Sequence, residues 1–442
     1  MLIPFLSAKD PAASSEGTLD PLGLYQIADA LGVKLIPGVR ERMKHPRFLT
    51  LTAVSLAVCS NFDDDTLAKD GVSEPWQVFE WYVVEGLVRC INDKNLLRGL
   101  PGTEKVSRAI QDNAPVSARR YLKTANVFGF HGVYRLLSHT LNIDADGRLG
   151  ENGYRLVNTW REEQGLPGFY ESNSGKGAEV IKLWRDAVRD GLEKGAVARN
   201  AAWQGWQFIA DHLGPYGAGL KEQRALKEII LSHEKGYARQ LVQFMTSPVG
   251  SGIVRQMLEH SANGNTWSER PFHNAFRDKV EAELQELLNA IAAYETFARL
   301  LQDAFADCLH EMTKYKGKTP VTVLAECKNV KNAAERIPKE YGKTMDKLGA
   351  FGELDRFQRL FSALADKLSP QDWVMRLLEH HMRVQKDKLP NGRLPWFERF
   401  DDGSCIIRQG YTRDKGGLGD DSYVHAYRLN SLWTFAEDMG ML

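Results

Sequence analysis

The sequence predicts a mainly α protein: a helical bundle, a helical N-terminal region and a small α+β hairpin region towards the C-terminus. Three observations carry that reading. From Phe272 to Lys316 the chain runs without one glycine or proline, with Val280, Leu284, Leu287, Leu288, Ile291, Tyr294, Phe297, Leu301, Phe305 and Leu309 spaced near three and four, as a helix seam requires. From Pro75 to Ile91 the residues are apolar nearly all round, the signature of a helix buried in the middle of a domain. Near the end, Leu394 to Phe400 and Ser404 to Tyr411 flank Asp401-Asp402-Gly403, the pattern of a β-hairpin.

Composition restricts the function classes. The 442 residues are 43% hydrophobic and 26% charged, and lysine plus arginine equals aspartate plus glutamate at 57 each. A protein that coats nucleic acid without specificity is usually basic, so any DNA contact here has to come from a local patch. The same balance argues against an anionic membrane surface as partner. Cys59, Cys90, Cys308, Cys327 and Cys405 are scattered with no CxxC pair, which fits a reducing cytoplasm and argues against structural zinc. The first residues lack a charged segment before their short apolar run, and no apolar run reaches the length of a membrane span. The expected location is the cytoplasm, with no cofactor.

In chain order, residues 1–20 read as an extended lead-in. Asp20-Pro21 is a cap-plus-proline start for a helix through Leu22, Tyr25, Ile27 and Leu31, broken at Gly32 and Pro37-Gly38. Arg40, Arg42, Lys44, His45 and Arg47 then cluster, either as a solvated loop between helices or as a phosphate-contacting patch. Phe48 to Cys59 is an apolar run of buried-helix type, and Asn61 to Glu74 an acidic loop.

Ser117 to Gly165 reads as helix, turn, helix, short polar wing, helix. Val133, Leu136, Leu137, Thr140 and Leu141 form one face of the middle helix, Asp144-Ala-Asp146-Gly147-Arg148 turns, and Tyr154, Leu156, Val157 and Trp160 mark the last helix. That order resembles a winged helix-turn-helix, which implies a second helix in a DNA major groove with cations holding phosphates. The cations available for DNA are Arg119, Arg120 and Lys123 on the first helix, Arg135 and His139 on the second, and Arg148 on the wing. Asp144, Asp146, Glu151, Glu162 and Glu163 partly offset them.

Ser172 to Gly177 reads as a linker, which sets the expected domains at 1–170 (with the winged-helix-like region at 117–165), 178–368 and 369–442. The second is a long-helix bundle: Ala178 to Leu192, Asn200 to Leu213, Leu220 to Met245, an interruption at Ser247 to Gly252, the long helix, and a helix over Pro320 to Leu348 kinked near Pro338. The third opens on the helix start Ser369-Pro370-Gln-Asp372, continues into the hairpin, offers a further strand at Tyr423 to Tyr427, and closes with a helix over Leu429 to Met439.

Few residues point to catalysis. Glu326 and Lys328, in VTVLAECKN, have the E-x-K spacing that resembles the metal-binding core of restriction-type nucleases, in which a carboxylate holds a divalent cation on an apolar strand. That core also needs an aspartate on a preceding strand, and Asp303 and Asp307 fall in the long helix. Solvated helix charges are the plainer account of Glu326 and Lys328. His233, His310, His380 and His381 lack HExxH spacing and read as ordinary surface or half-buried side chains. Gly410 to Asp421 is glycine-rich without a phosphate-loop ending, so it reads as a mobile loop. Arg383, Lys386, Lys388, Arg393, Arg399, Arg408, Arg413 and Lys415 alternate with Trp396, Phe397, Phe400 and Tyr411, which suits either base stacking or an ordinary packed hairpin.

The strings LDPLGL, PGVRERMKHPRFLT, LPGTEK and YLKT…VFGFHGVYRLL resemble uncharacterised bacterial proteins encoded beside phage-defence and restriction genes. The resemblance lies mainly in residues 1–165 and implies a context, with no catalytic residue to transfer. The expected function is a non-enzymatic DNA-binding or adaptor component of an anti-phage or DNA-targeting assembly, with DNA and other protein subunits as partners and no membrane. The alternatives are a metal-dependent nuclease built on Glu326 and Lys328, and a purely structural interaction subunit. A strand at Val321 to Cys327 would favour the nuclease; a helix there would remove it.

Overall fold

A computed structural model describes residues 20–122, 124–232, 236–315, 317–389 and 391–442. The chain is mainly helical, with two small antiparallel strand pairs. It divides into two compact units, and each borrows a segment from the far end of the sequence: residues 20–35 join 248–427, and residues 36–247 join 428–442. The boundary expected at 170–178 therefore falls inside one unit. There the helix Lys176–Lys194 packs on both Pro75–Cys90 and Arg47–Cys59.

The unit of residues 36–247 and 428–442 is built round the helices Arg47–Cys59 and Pro75–Cys90, both nearly all buried. The second starts where its sequence says it should. Glu74 and Gln77 form a capping box, and Pro75 occupies the first turn. Arg47 and Glu222 bring charge inside this core. The guanidinium meets the Glu222 carboxylate at 3.1 Å and the carbonyls of Gly214 and His212, so both desolvated ions are paired. Between these helices and Glu151–Glu163 lie Phe130–Thr140 and a hairpin of two-residue strands, Asp144–Ala145 and Arg148–Leu149. Asp146 and Gly147 connect the strands with φ of 53° and 83°, the left-handed pair that a tight hairpin turn demands.

The first helix of the expected winged helix-turn-helix does not form. Residues 117–122 make a turn, and a four-residue helix, Ala125–Phe128, precedes Phe130–Thr140. The cause is a buried contact: Tyr121 folds inward so that its hydroxyl donates to Glu80 at 2.7 Å. Its ring lies so close to Gly102 that a Cβ there would stand 2.2 Å from Cε2. The helix expected over Leu220 to Met245 is described as two, Leu220–Leu231 and Ala238–Met245, and Asn200 to Gln204 stay outside Gly205–Leu213. The closing helix Leu429–Asp438 forms as expected and packs on Ala238–Met245.

The unit of residues 20–35 and 248–427 has the long helix as its spine. It runs over Ala282–Lys314, 33 residues and so about 50 Å, shorter than expected because Glu281 is extended and a separate helix, Arg270–Arg277, precedes it. Lys328–Leu348 lies along it and makes its most extensive packing. That helix passes through Pro338; the real break is upstream at Cys327, where ψ of 136° separates it from Val321–Ala325. Pro248–Ala262 is helical through the glycines expected to interrupt it, as Tyr25–Leu35 is through Gly32. The latter helix starts at Tyr25, later than the Asp20-Pro21 start expected, and Asp20 reaches it across the intervening bend, its two carboxylate oxygens accepting the amides of Leu24 and Tyr25 at 2.9 Å each. Ser369 caps Pro370–Lys386 by accepting from Asp372 N. The hairpin is present as Phe397–Arg399 paired with Cys405–Ile407.

Residues 412–427 form an irregular loop, and the strand expected at Tyr423 to Tyr427 does not form. They run along the long helix, held by a stripe of charged side chains four residues apart: Glu295, Arg299, Asp303 and Asp307. Asp307 accepts from Gly417 N at 2.8 Å, and Asp303 accepts from Leu418 N and Gly419 N at 3.1 and 3.0 Å. Arg299 donates to the carbonyls of Ser422 and Tyr423. Glu295, wholly buried, accepts from the amides of Val424 and His425 and from the Tyr427 hydroxyl. The glycines allow close approach: a Cβ on Gly416 would stand 2.5 Å from Asp307 Oδ1, and one on Gly417 2.5 Å from Asp303 Cα.

Candidate nucleic-acid interface

The expected DNA-binding side chains fall in the unit of residues 36–247 and 428–442, except that Lys123 lies outside the described residues. Arg119 and Arg120 are exposed on the turn that replaces the first helix. Arg135 is exposed on Phe130–Thr140, Arg148 on the second short strand, and among the described residues none of the four makes an ion pair. His139 is engaged with its own turn, Nδ1 lying 3.1 Å from the Asp144 carbonyl and Nε2 3.5 Å from its carboxylate. It is the weakest of the set as a phosphate contact.

Phe130–Thr140 is positioned by its N-terminus and by its buried face. Glu80, 0% exposed, accepts from His131 N at 3.1 Å, placing a carboxylate where the helix dipole favours one. Burial pushes that carboxyl up to about 7, although the bonds from Tyr121, His131 and Phe130 pull it down. Phe130, Val133, Tyr134 and Leu137 are buried, whereas Leu136, expected on the same face, is 43% exposed beside Arg135. Burial and the like charge of Arg135 push His131 down to about 3, so it stays neutral.

The cluster at residues 40–47 proves to be part of the same surface. Tyr134 accepts from the amides of Lys44 and His45. Gly38 rests against Leu137 and Thr140, with only 3.0 Å between a hypothetical Cβ and Leu137 Cα. Arg42 lies 4.5 Å above the Phe128 ring. Residues 38–44 thus run along Ala125–Phe128 and Phe130–Thr140 and bring exposed Arg40 and Arg42 and half-buried Lys44 to their side. Lys44 is held below the ordinary lysine value chiefly by burial, with the neighbouring cation Arg98 adding to the shift and Glu41 opposing it. The other two members of the cluster face inward. His45 bonds to Asp438 and to the Arg98 carbonyl at 2.7 Å each, and Arg47 is the buried partner of Glu222. Arg40 and Arg42 are exposed, as either reading of the cluster requires, whereas His45 and Arg47 are buried and fit neither. Sequence spacing treats all five alike; burial separates them.

The remaining expectations resolve as follows. Val321–Ala325 is a helix, so the strand that a restriction-type E-x-K core requires is replaced by helix. Glu326 is 76% exposed and pairs with Lys331 at 2.6 Å, and Lys328 begins the next helix. Asp303 and Asp307 are committed to backbone amides. His380 and His381 are buried, with partners in the Leu22 and Pro21 carbonyls at 2.8 and 2.9 Å. Burial pushes them down to about 4 and about 3. His233 lies outside the described residues. Among those described, no group of three or more His, Cys, Asp and Glu side chains is placed to hold a metal ion. The C-terminal aromatics are occupied by protein rings: Trp396 stacks on Tyr411 at 4.7 Å, and Phe397 is 1% exposed against His381. No helix among the described residues is long and apolar enough to cross a membrane.

These observations describe a mainly helical protein, one of whose two units exposes Arg40, Arg42, Arg119, Arg120, Arg135 and Arg148. No family model, curated protein or solved structure matches the chain.

Proposed function

We propose that this chain is a non-enzymatic DNA-binding or adaptor component of a bacterial anti-phage or DNA-targeting assembly. It meets nucleic acid with the face formed by residues 38–44, the turn at 117–120 and the helix Phe130–Thr140. The observation that carries this reading is the docking of the 38–44 segment on that helix through Tyr134 and Phe128. It sets Arg40, Arg42 and Lys44 beside the helix that carries Arg135. A chain without net charge needs such a local concentration to hold phosphates. In this role Phe130–Thr140 takes the groove-facing part that a winged helix gives its second helix, and Arg148 on the hairpin reaches the flanking backbone.

Exposed Val127 and Leu136, at 45% and 43%, favour a second reading in which the same face docks a protein subunit. Charge reversal at Arg119, Arg120 and Arg135 separates the two. Lost DNA binding with an unchanged melting temperature supports the first, and DNA binding that persists removes it.

A further inference from the structure

In the unit of residues 20–35 and 248–427, a cleft of about 610 Å³ opens between the helix Pro248–Ala262, the segment 265–269 with the first turn of Arg270–Arg277, and residues 418–422. Its size lies in the range of small-molecule sites, roughly 300–1,000 Å³. One part of its lining is apolar, from Ile253, Met257 and Leu418. The other centres on Arg270, whose side chain is 18% exposed. The guanidinium lies 5.1 Å from the Tyr423 ring and donates through Nη2 to Thr296 at 3.0 Å. Its Nε is buried without a hydrogen-bond partner among the described residues. The carboxylate facing it in the cleft is Asp421, 3.9 Å from Nη1 and 88% exposed, too distant for a hydrogen bond. Asp420 is turned to Arg299, at 3.8 Å.

The guanidinium is largely desolvated and its Nε has no partner, while the two cleft carboxylates near it, Asp421 and Asp420, are solvated and make no hydrogen bond to it, so it is under-compensated. Its planar fork suits a carboxylate or phosphate held by parallel N–H donors. We infer that this cleft binds a small organic anion, its carboxylate or phosphate on Arg270 and its apolar body against Met257, Ile253 and Leu418. Asp421 is then the group that the ligand displaces: a competing carboxylate at the mouth rather than a contributor to affinity.

Calorimetric titration of the full chain with naphthalene-1-acetate, 1-naphthyl phosphate and the neutral naphthalene-1-acetamide tests this. At least one of the two anions is expected to bind about tenfold or more tighter than the amide, as a charge-assisted bond to arginine requires. The tighter of the two identifies the head group. Arg270→Gln is expected to abolish that preference, and Asp421→Asn, at an exposed position that cannot disturb the fold, to tighten anion binding. No binding by either anion, equal binding of the amide, or weaker anion binding by Asp421→Asn would each overturn the assignment.

Discussion

The phenolic oxygen of Tyr134 accepts the amide hydrogens of both Lys44 and His45, at 2.9 and 3.1 Å. One buried hydroxyl thereby fixes the loop bearing Arg40 and Arg42 onto the helix bearing Arg135. Tyr134→Phe keeps the ring and removes the acceptor from both N–H groups, a loss of about 1–3 kcal/mol for a buried donor left unsatisfied. Urea denaturation should show a lower midpoint with unchanged helix content, and DNA affinity should fall with it. An unchanged midpoint and unchanged affinity would mean that the loop is held by other contacts.

Glu80 makes stability depend on pH in a defined sense. Its folded value, about 7, lies above the ordinary 4.5, so the folded state binds the extra proton between those limits. The stabilisation is complete below about pH 4.5 and is lost as pH rises through about 7. Glu80→Gln, neutral throughout, should gain on the wild type over that window by an amount on the order of 2–3 kcal/mol. Chemical denaturation of both proteins at pH 5 and pH 8 gives the difference; a gap that does not change with pH would refute the assignment.

His381 carries its proton on a definite nitrogen. Its Nε2 accepts from Trp396 N at 3.0 Å, which leaves Nδ1 to donate to the Pro21 carbonyl at 2.9 Å. Nitrogen-15 NMR should show a neutral Nδ1–H tautomer persisting at pH 5, because burial pushes the ring down to about 3. Since the unfolded chain takes up that proton near pH 6.5, the histidine destabilises the fold as pH falls below that value. An imidazolium signal for His381 at pH 5 would contradict the burial argument.

The strap at 416–419 should respond to a single methyl group. Gly417→Ala would place its Cβ 2.5 Å from Asp303 Cα, so the backbone has to lift away from the carboxylates that hold it. Asp303→Asn weakens the same attachment by removing the charge. Limited proteolysis should cut both variants within residues 412–422 faster than the wild type. Equal rates would show that the strap is retained by Glu295, Arg299 and Asp307 without Asp303.

Local chemistry was legible where one short stretch contains both halves of an interaction. The helix start at Pro75, the Ser369 cap and the turn at Gly403 each set an element boundary that the chain obeys. Long-range burial was not. Arg47 stands among five clustered basic residues, and its partner Glu222 is 175 positions away. Glu295, Arg299, Asp303 and Asp307 have the fourfold spacing of a solvated stripe. The return of residues 410–427 covers it, leaving Glu295, Arg299 and Asp303 buried and Asp307 half-buried. For the candidate interface the individual cations could be read, while their assembly rests on Tyr134 meeting Lys44 across 90 residues. The contacts of Gly416 and Gly417 with the long helix have no sequence signal of their own, since close approach and a free loop leave the same mark on a sequence.

The central claim is that the basic face of residues 38–44, 117–120 and 130–140 holds nucleic acid. Fluorescence anisotropy of labelled duplex and single-stranded DNA, titrated with salt with and without Mg²⁺, tests it most directly. The wild type should bind with an affinity that falls steeply as salt rises and should leave the DNA intact. The Arg119→Glu, Arg120→Glu, Arg135→Glu protein should not bind. Wild-type binding without salt dependence, undiminished binding by the triple variant, or no binding at any salt concentration would contradict the account.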